Sequence, residues 1–450
     1  MKKIYLVLLL SVLITSCDFG SLNVDPNNPN PNNVPLSLML PSAQASYAYN
    51  VGGRGSWNIG MFTNHLTGIN AQPQDFSNYN YTESDCDGLW RDMYATTNIT
   101  LRQLIDKAEK STGGKYYAGI GKVLLASSLG TMTSFWGDIP YSDALKGSTG
   151  NITPKYDTQQ AIYSSIQGLL DEAIADLGNA SGISPAGDDL IYGGDLGLWI
   201  RAAYSLKARY FMHQTKSNPN AAQSALIALS GAKGITSIAQ QAQLVFGINQ
   251  TDANPWYQLN RQRPDVRVSS SFIAILNSLT DPRLSRYIDQ RASGPFVGLK
   301  FSSIDSPVPI ITFAEVKFIE AEALIRTGGT GAQAAFQAAI DASITDVTGS
   351  SNAAYVTANG TLSGTQAQQL SQILTQKYIA LFTQSESWVD YRRTGVPMLT
   401  PPSTVIKNEA NPNGDVPRRL PYPISERLFN AANIPTQSPS LQTPRLWIDN

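Results

Sequence analysis

Apolar residues recur three and four positions apart through much of this chain, the spacing of one buried stripe on a helix. Leu101, Leu104, Ile105 and Ala108 make one stripe. Ile162, Ile166, Leu169, Leu170, Ala173, Ile174 and Leu177 make a longer one, with Asp157 and Gln160 placed as a capping box ahead of it. Leu370, Ile373, Leu374, Tyr378, Leu381 and Phe382 make a third. The same spacing predicts helices over 116–131, 197–214, 269–279 and 313–326. Polar positions gather between the stripes, over 71–88, 181–194, 248–267, 348–366 and 401–416. Loops beyond about 12–15 residues are uncommon unless they carry function, so these stretches predict a helical scaffold presenting an irregular binding surface.

Some predicted helices come in pairs across short breaks. The clearest pair is 316–326 and 332–340, separated by Thr327-Gly328-Gly329. Its second member carries Ala332, Phe336 and Ala339, the A-x3-F-x2-A spacing of a tetratricopeptide-type second helix. Small alanines let helices approach closely, and the phenylalanine fills the groove between pairs. The expected class is mainly all-α: an α-solenoid of tetratricopeptide-like helix pairs with long irregular loops.

The apolar run at 4–13 follows another rule. It sits behind Met1-Lys2-Lys3, and its length of about ten residues is too short to span a bilayer. Leu13-Ile14-Thr15-Ser16-Cys17 then resembles the lipobox of bacterial lipoproteins. The competing reading is an ordinary signal peptide with a chance cysteine. The lipobox resemblance implies cleavage before Cys17 and acylation of Cys17. Several acyl chains, at about 0.8 kcal/mol per buried CH2, hold a protein to membrane firmly. Residues 1–16 are therefore expected to be a cleaved signal, 17–35 an Asn- and Pro-rich lipidated tether, and 36–450 one helical domain.

Composition narrows the chemistry. The formal net charge is −1, so no basic excess is available to neutralise phosphates, and nucleic acid is not an expected partner. Only 15% of residues are charged, and the amides, hydroxyls and tyrosines in their place suit neutral hydrogen-bonding ligands. With Cys17 assigned to lipid, Cys86 has no disulfide partner in the chain. His65 and His213 are far apart and read as packed or surface residues, not as metal ligands or members of a triad. No phosphate loop, EF-hand, zinc spacing or serine elbow stands out, so no cofactor is expected, while loop carboxylates leave a calcium ion open.

Further motifs resemble the SusD/RagB family of outer-membrane lipoproteins along nearly all of the mature length. Leu22-Asn23-Val24-Asp25-Pro26-Asn27 is similar to its opening, and Trp90, Tyr94 and Asn98 to its W-x-x-x-Y-x-x-x-N helix. Gly137-Asp138-Ile139-Pro140-Tyr141-Ser142-Asp143-Ala144 is close to GDIPYSEA. Asn254-Pro255, Asp281-Pro282-Arg283-Leu284 and 313–323 also fit. The segments 376–382 and 386–395 are similar to QKWIALF and EAWADYRRTG, and Arg418-Arg419-Leu420-Pro421-Tyr422-Pro423 to a late RRxxYP. The resemblance implies four tetratricopeptide-like units, capture of oligosaccharide at the cell surface, and delivery to a partner TonB-dependent transporter of the SusC-like kind. Most of these motifs read as structural: Asp138 as a turn carboxylate binding backbone N–H groups, and Asp390 with Arg393 as an ion pair three apart on a helix.

A sugar offers flat C–H faces and many hydroxyls, so its site wants exposed rings flanked by amides, carboxylates or arginine. Two segments meet that description. One supplies Asp75, Tyr79, Asn80 and Tyr81, and the other Trp256, Tyr257 and Arg261, as expected ligand-binding residues. The competing reading for each aromatic is core packing, and Trp57, Trp90, Trp136 and Trp388 are expected in the core. Two other functions compete. A secreted glycoside hydrolase needs paired carboxylates, one with a raised pKa. Glu386 and Asp390 have the spacing, but Arg392 and Arg393 favour the ionised form. Glu320 and Glu322, two apart on a helix, point to different faces. No catalytic residue is therefore assigned. A protein-binding scaffold or peptide-binding lipoprotein is the other alternative, since such helical stacks commonly bind peptides.

Overall fold

The computed structural model describes residues 33–147 and 150–450. Cys17, the 1–16 signal, most of the tether and the Leu22-to-Asn27 motif lie outside those residues. The fold is mainly helical. Its described strands form three short antiparallel pairs: Leu66–Gly68 with Val266–Val268, Ala242–Leu244 with Val308–Ile311, and Ile288–Arg291 with Gly294–Val297.

The predicted stripes become helices Ile99–Lys110, Gln159–Leu177 and Gln366–Ala380, and their apolar positions are buried or packed on the core. Helices Ile99–Lys110, Lys115–Trp136, Gln159–Leu177, Leu196–Met212 and Ala221–Leu229 pack in chain order, each on the next. Phe313–Thr327 packs on Ala221–Leu229 and pairs with Ala332–Thr348, continuing the stack. In that last pair Phe336 and Ala339 are fully buried, and Phe336 faces Phe318 at 6.3 Å between ring centres. Thr312 caps the first of the two helices by accepting the Glu315 N–H at 3.2 Å. Gly328 stops it in a left-handed conformation, at φ 68°.

Lys115–Trp136 is buried on nearly every side, which explains its weak amphipathic pattern. Gly130 is required there: a Cβ would sit 2.2 Å from the Tyr210 ring. The helix runs past its expected end to Gly137, whose φ of 88° opens the following turn. Asp138 in that turn accepts the Gln159 N–H at 2.7 Å, as its motif predicts.

Two local expectations are corrected. The capping box at Asp157 and Gln160 does not form. Thr158 caps the helix by accepting the Ala161 N–H at 3.3 Å, while Asp157 turns back to accept the N–H groups of Tyr141 and Ser142 at 2.9 and 2.8 Å. Three of the polar stretches expected as loops also contain helix: Ala71–Ser77 with the start of Glu83–Asp92, Pro255–Gln262, and Ala353–Asn359. Side-chain caps at Thr82, Asn254 and Asn352 nucleate the last three, and short helices started this way need little hydrophobic periodicity.

The main core cluster runs from Met39 to Ile448, and the last residues, Trp447–Asp449, pack on helices Gln159–Leu177 and Glu386–Thr394. The predicted Asp390–Arg393 pair forms at 2.6 Å.

Candidate ligand-binding cleft

The Leu36–Gly52 helix sets where the cleft opens. Tyr47 is buried, with its hydroxyl 2.8 Å from Ser127 Oγ. Tyr49, two residues on and so roughly 200° around the helix, is 42% exposed. Helix Arg54–Phe62 adds Arg54 and Trp57, Ala71–Ser77 adds Gln72, Glu83–Asp92 adds Asp92, and Pro255–Gln262 adds Gln258 and Gln262. These side chains line a cavity of about 330 Å3.

The cleft is held open by polar contacts along its walls. The Tyr49 hydroxyl donates to Gln258 Oε1 at 2.8 Å, and Gln72 donates to Asp85 at 2.9 Å. Asp92 takes Arg91 at 2.9 Å and Arg54 at 3.5 Å. Burial raises the Tyr49 phenol, which keeps it a neutral O–H donor. Trp57 is partly buried, leans edge-on against Trp256 at 6.1 Å, and its indole N–H has no protein partner. Tyr49, Asn50 and Asp92 also border an adjoining hollow of about 670 Å3, walled by Leu244, Val245 and Phe246. Two aromatic rings among amides, with charge confined to Arg54, Asp92 and Arg263, suit a hydroxyl-rich ring, which needs apolar area and hydrogen bonds without full desolvation of charge.

The residues singled out from the sequence divide three ways. Tyr79, Tyr81 and Trp256 are core residues, which corrects their expected role as exposed platforms. Tyr79 and Tyr81 pack edge-on against Phe62 at 6.0 and 5.6 Å. Tyr81 accepts the Asn58 amide at 3.0 Å, and the Trp256 indole donates to Ser56 at 3.1 Å. Trp256 sits in the first turn of the helix capped by Asn254, while Tyr79 and Tyr81 lie in the link between two short helices and are drawn in by packing on Phe62. Tyr257 and Arg261 do lie at the surface, lining a separate hollow of about 650 Å3 with Asn260. They occupy a different face of their helix from Gln258 and Gln262, and Arg261 donates to the Tyr257 hydroxyl at 3.0 Å. Asp75 is exposed and Asn80 accepts Asn408 Nδ2 at 3.2 Å, but neither lines the cleft.

Tyr79 is held in the left-handed region at φ 60°, and its buried hydroxyl has no partner. A Tyr79→Phe change removes that orphan group. It is expected to leave stability unchanged or raise it by up to about 1 kcal/mol, read from the urea midpoint.

The sequence reading missed Tyr49, Arg54 and Asp92, and it assigned Trp57 to the core. The phase difference between Tyr47 and Tyr49 on one helix was the available signal for the first.

The carboxylates weighed for hydrolysis are built for structure. Burial alone would raise the Glu386 carboxyl, but His213 at 2.5 Å and nearby Arg209 outweigh it and hold the group well below the usual range. Glu322 is buried against Arg393, while Glu320 pairs with Lys317 at 2.7 Å. His65 is buried against Tyr378, and burial lowers its pKa to about 3.

A stacked helical frame with a preformed aromatic and amide cleft defines a ligand-binding protein. The family follows from comparison: a model described as SusD-like, starch-binding associating with outer membrane, matches residues 26–423, and the chain belongs to this family. SusD-like proteins are carbohydrate-binding and non-catalytic. Solved structures share the fold. They include a SusD/RagB family protein from Bacteroides thetaiotaomicron (22% identity, 93% of this chain and 99% of that one, TM-score 0.76). A chitin-binding SusD homologue from Flavobacterium johnsoniae aligns at 22% identity over 92% and 97% of the two chains, with TM-score 0.77. A SusD homologue from Bacteroides vulgatus aligns at 18% identity over 92% and 97%, with TM-score 0.80. No curated protein matches the chain. Among the described residues no helix is long and apolar enough to cross a membrane.

Proposed function

We propose that this chain is a surface lipoprotein that captures oligosaccharide in the Tyr49–Trp57 cleft and delivers it to a TonB-dependent outer-membrane transporter. The observation that carries the reading is the cleft itself, where two partly exposed rings stand among Gln72, Gln258 and Gln262. The family description as starch-binding and associated with the outer membrane supports it, as does a chitin-binding homologue of the same fold. The lipobox supports an anchor through lipid on Cys17, with residues 1–16 removed and one helical domain over 36–450. Tyr257 and Arg261, in the neighbouring hollow, extend the site for a longer chain. Neutral amides and rings favour uncharged sugars over peptides, whose ends and side chains carry charge.

Calorimetric titration of the purified protein with cello-, xylo-, manno- and N-acetylchito-oligosaccharides tests the reading. Saturable binding to at least one series is expected, without release of shorter products. Binding to none of them rejects it. Extraction of the outer membrane in mild detergent is expected to retain a transporter with the chain, and a Cys17→Ser variant is expected to lose its acyl label.

A further inference from the structure

The hollow beside the cleft is chemically unlike it. Buried Leu244 and Phe246 line it, with Val245, 58% exposed, and Leu190, 43% exposed. Polar side chains, Asp92, Thr96 and Asp252 among them, share its lining with the apolar run of Leu244, Val245 and Phe246 and with Leu190. Hydroxyls pressed on that apolar run would lose water and gain no partner. The walls are also preformed. Ala242–Leu244 is paired with Val308–Ile311, and the turn after Phe246 is closed by a Gly247 N–H to Asp252 carbonyl bond of 2.9 Å. Asp252 further accepts the Asn249 N–H at 2.9 Å. At about 670 Å3 the hollow lies within the size range of pockets that enclose drug-sized groups, well beyond a single methyl. Most important, it adjoins the cleft: Tyr49, Asn50 and Asp92 border both.

We infer that the glycan taken by the cleft carries an apolar substituent of about aromatic-ring size, an aryl aglycone or aromatic acyl ester, which lodges against Leu244, Val245 and Phe246. This rests on the carbohydrate reading above and specifies the ligand for the same site. The sugar ring lies against Tyr49 and Trp57, and the substituent crosses the Tyr49–Asp92 border into the apolar lobe. The ring and its substituent thus meet surfaces of matching polarity.

The test compares ligands that differ only in the substituent. Purified protein is titrated with 4-nitrophenyl and methyl glycosides of the four oligosaccharide series, and with feruloylated and saponified xylo-oligosaccharides. In at least one pair the substituted ligand is expected to bind on the order of tenfold more tightly, from the apolar area it buries. Val245→Glu and Leu190→Ser, both at exposed positions that the fold tolerates, are each expected to erase that advantage and leave the unsubstituted ligand's affinity unchanged. Equal affinities in every pair, or an advantage that survives both variants, overturns the inference while leaving sugar binding in place. Binding to no carbohydrate at all removes the function it rests on. Capture of a protein partner that Val245→Glu alone disrupts, with every ligand pair equal, assigns the hollow to that partner instead.

Discussion

Arg393→Ala is expected to cost about 3–5 kcal/mol of folding stability, the range for breaking a buried ion pair by removing one partner. Arg393 is buried where helices Phe313–Thr327, Gln366–Ala380 and Glu386–Thr394 meet. Its guanidinium bonds both oxygens of Glu322 at 2.5 Å and Asp390 Oδ1 at 2.6 Å, while Lys377 holds Asp390 Oδ2 at 2.8 Å. Without Arg393, the closest cation left to Glu322 among the described residues is Arg326, at 2.8 Å near the surface, and Asp390 keeps Lys377. Two buried carboxylates would then be under-compensated at the joint between helical layers. Equilibrium urea unfolding measures the loss, and a cost below about 1 kcal/mol would show the network to be dispensable.

The same network gives the protein an acid limit. Burial alone would raise the Glu322 carboxyl, but Arg393 beside it holds it well below the usual range, as His213 does for Glu386. An unfolded glutamate titrates near about 4.3. A carboxylate whose folded pKa lies lower adds stability that is whole above that pH and lost as pH falls toward the folded value. Buried His65, its pKa lowered to about 3, adds a loss that begins earlier, so the urea midpoint is expected to decline as pH falls through about 6.5 and to drop more steeply below about pH 4. A midpoint that rises on acidification contradicts the assignment.

Trp57→Ala is expected to weaken oligosaccharide binding roughly thirtyfold, about 2 kcal/mol, with the fold intact. The ring lines the cleft together with Gln258 and Gln262, and its buried indole N–H has no protein partner. Its neighbour makes the contrast. Trp256 is 2% exposed, and Trp256→Ala is expected to cost about 3–5 kcal/mol of stability by opening a core cavity. Calorimetric titration and urea unfolding of both variants separate the roles. Unchanged affinity in a folded Trp57→Ala protein rejects the cleft as the sugar site.

Helical periodicity was legible because it depends on residues three and four apart. Phe336 and Ala339 went where their spacing put them, and the 313–327 helix ended within one residue of its reading. Short helices such as Pro255–Gln262 and Ala353–Asn359 were not legible, because side-chain caps at Asn254 and Asn352 start them and no long stripe runs through them. The rings of Tyr79, Tyr81 and Trp256 have the composition of a sugar site, yet composition does not say which way a ring faces.

Local order along the chain thus determined the helical class, the paired stack and the family motifs, since each is written in neighbouring residues. Tertiary structure alone decided which aromatics face solvent, and it joined Tyr49, Trp57, Gln72, Asp92 and Gln258 into one cleft. Those residues come from five helices, and their convergence depends on how the helices cross, a property of packed surfaces that no single stretch of sequence contains.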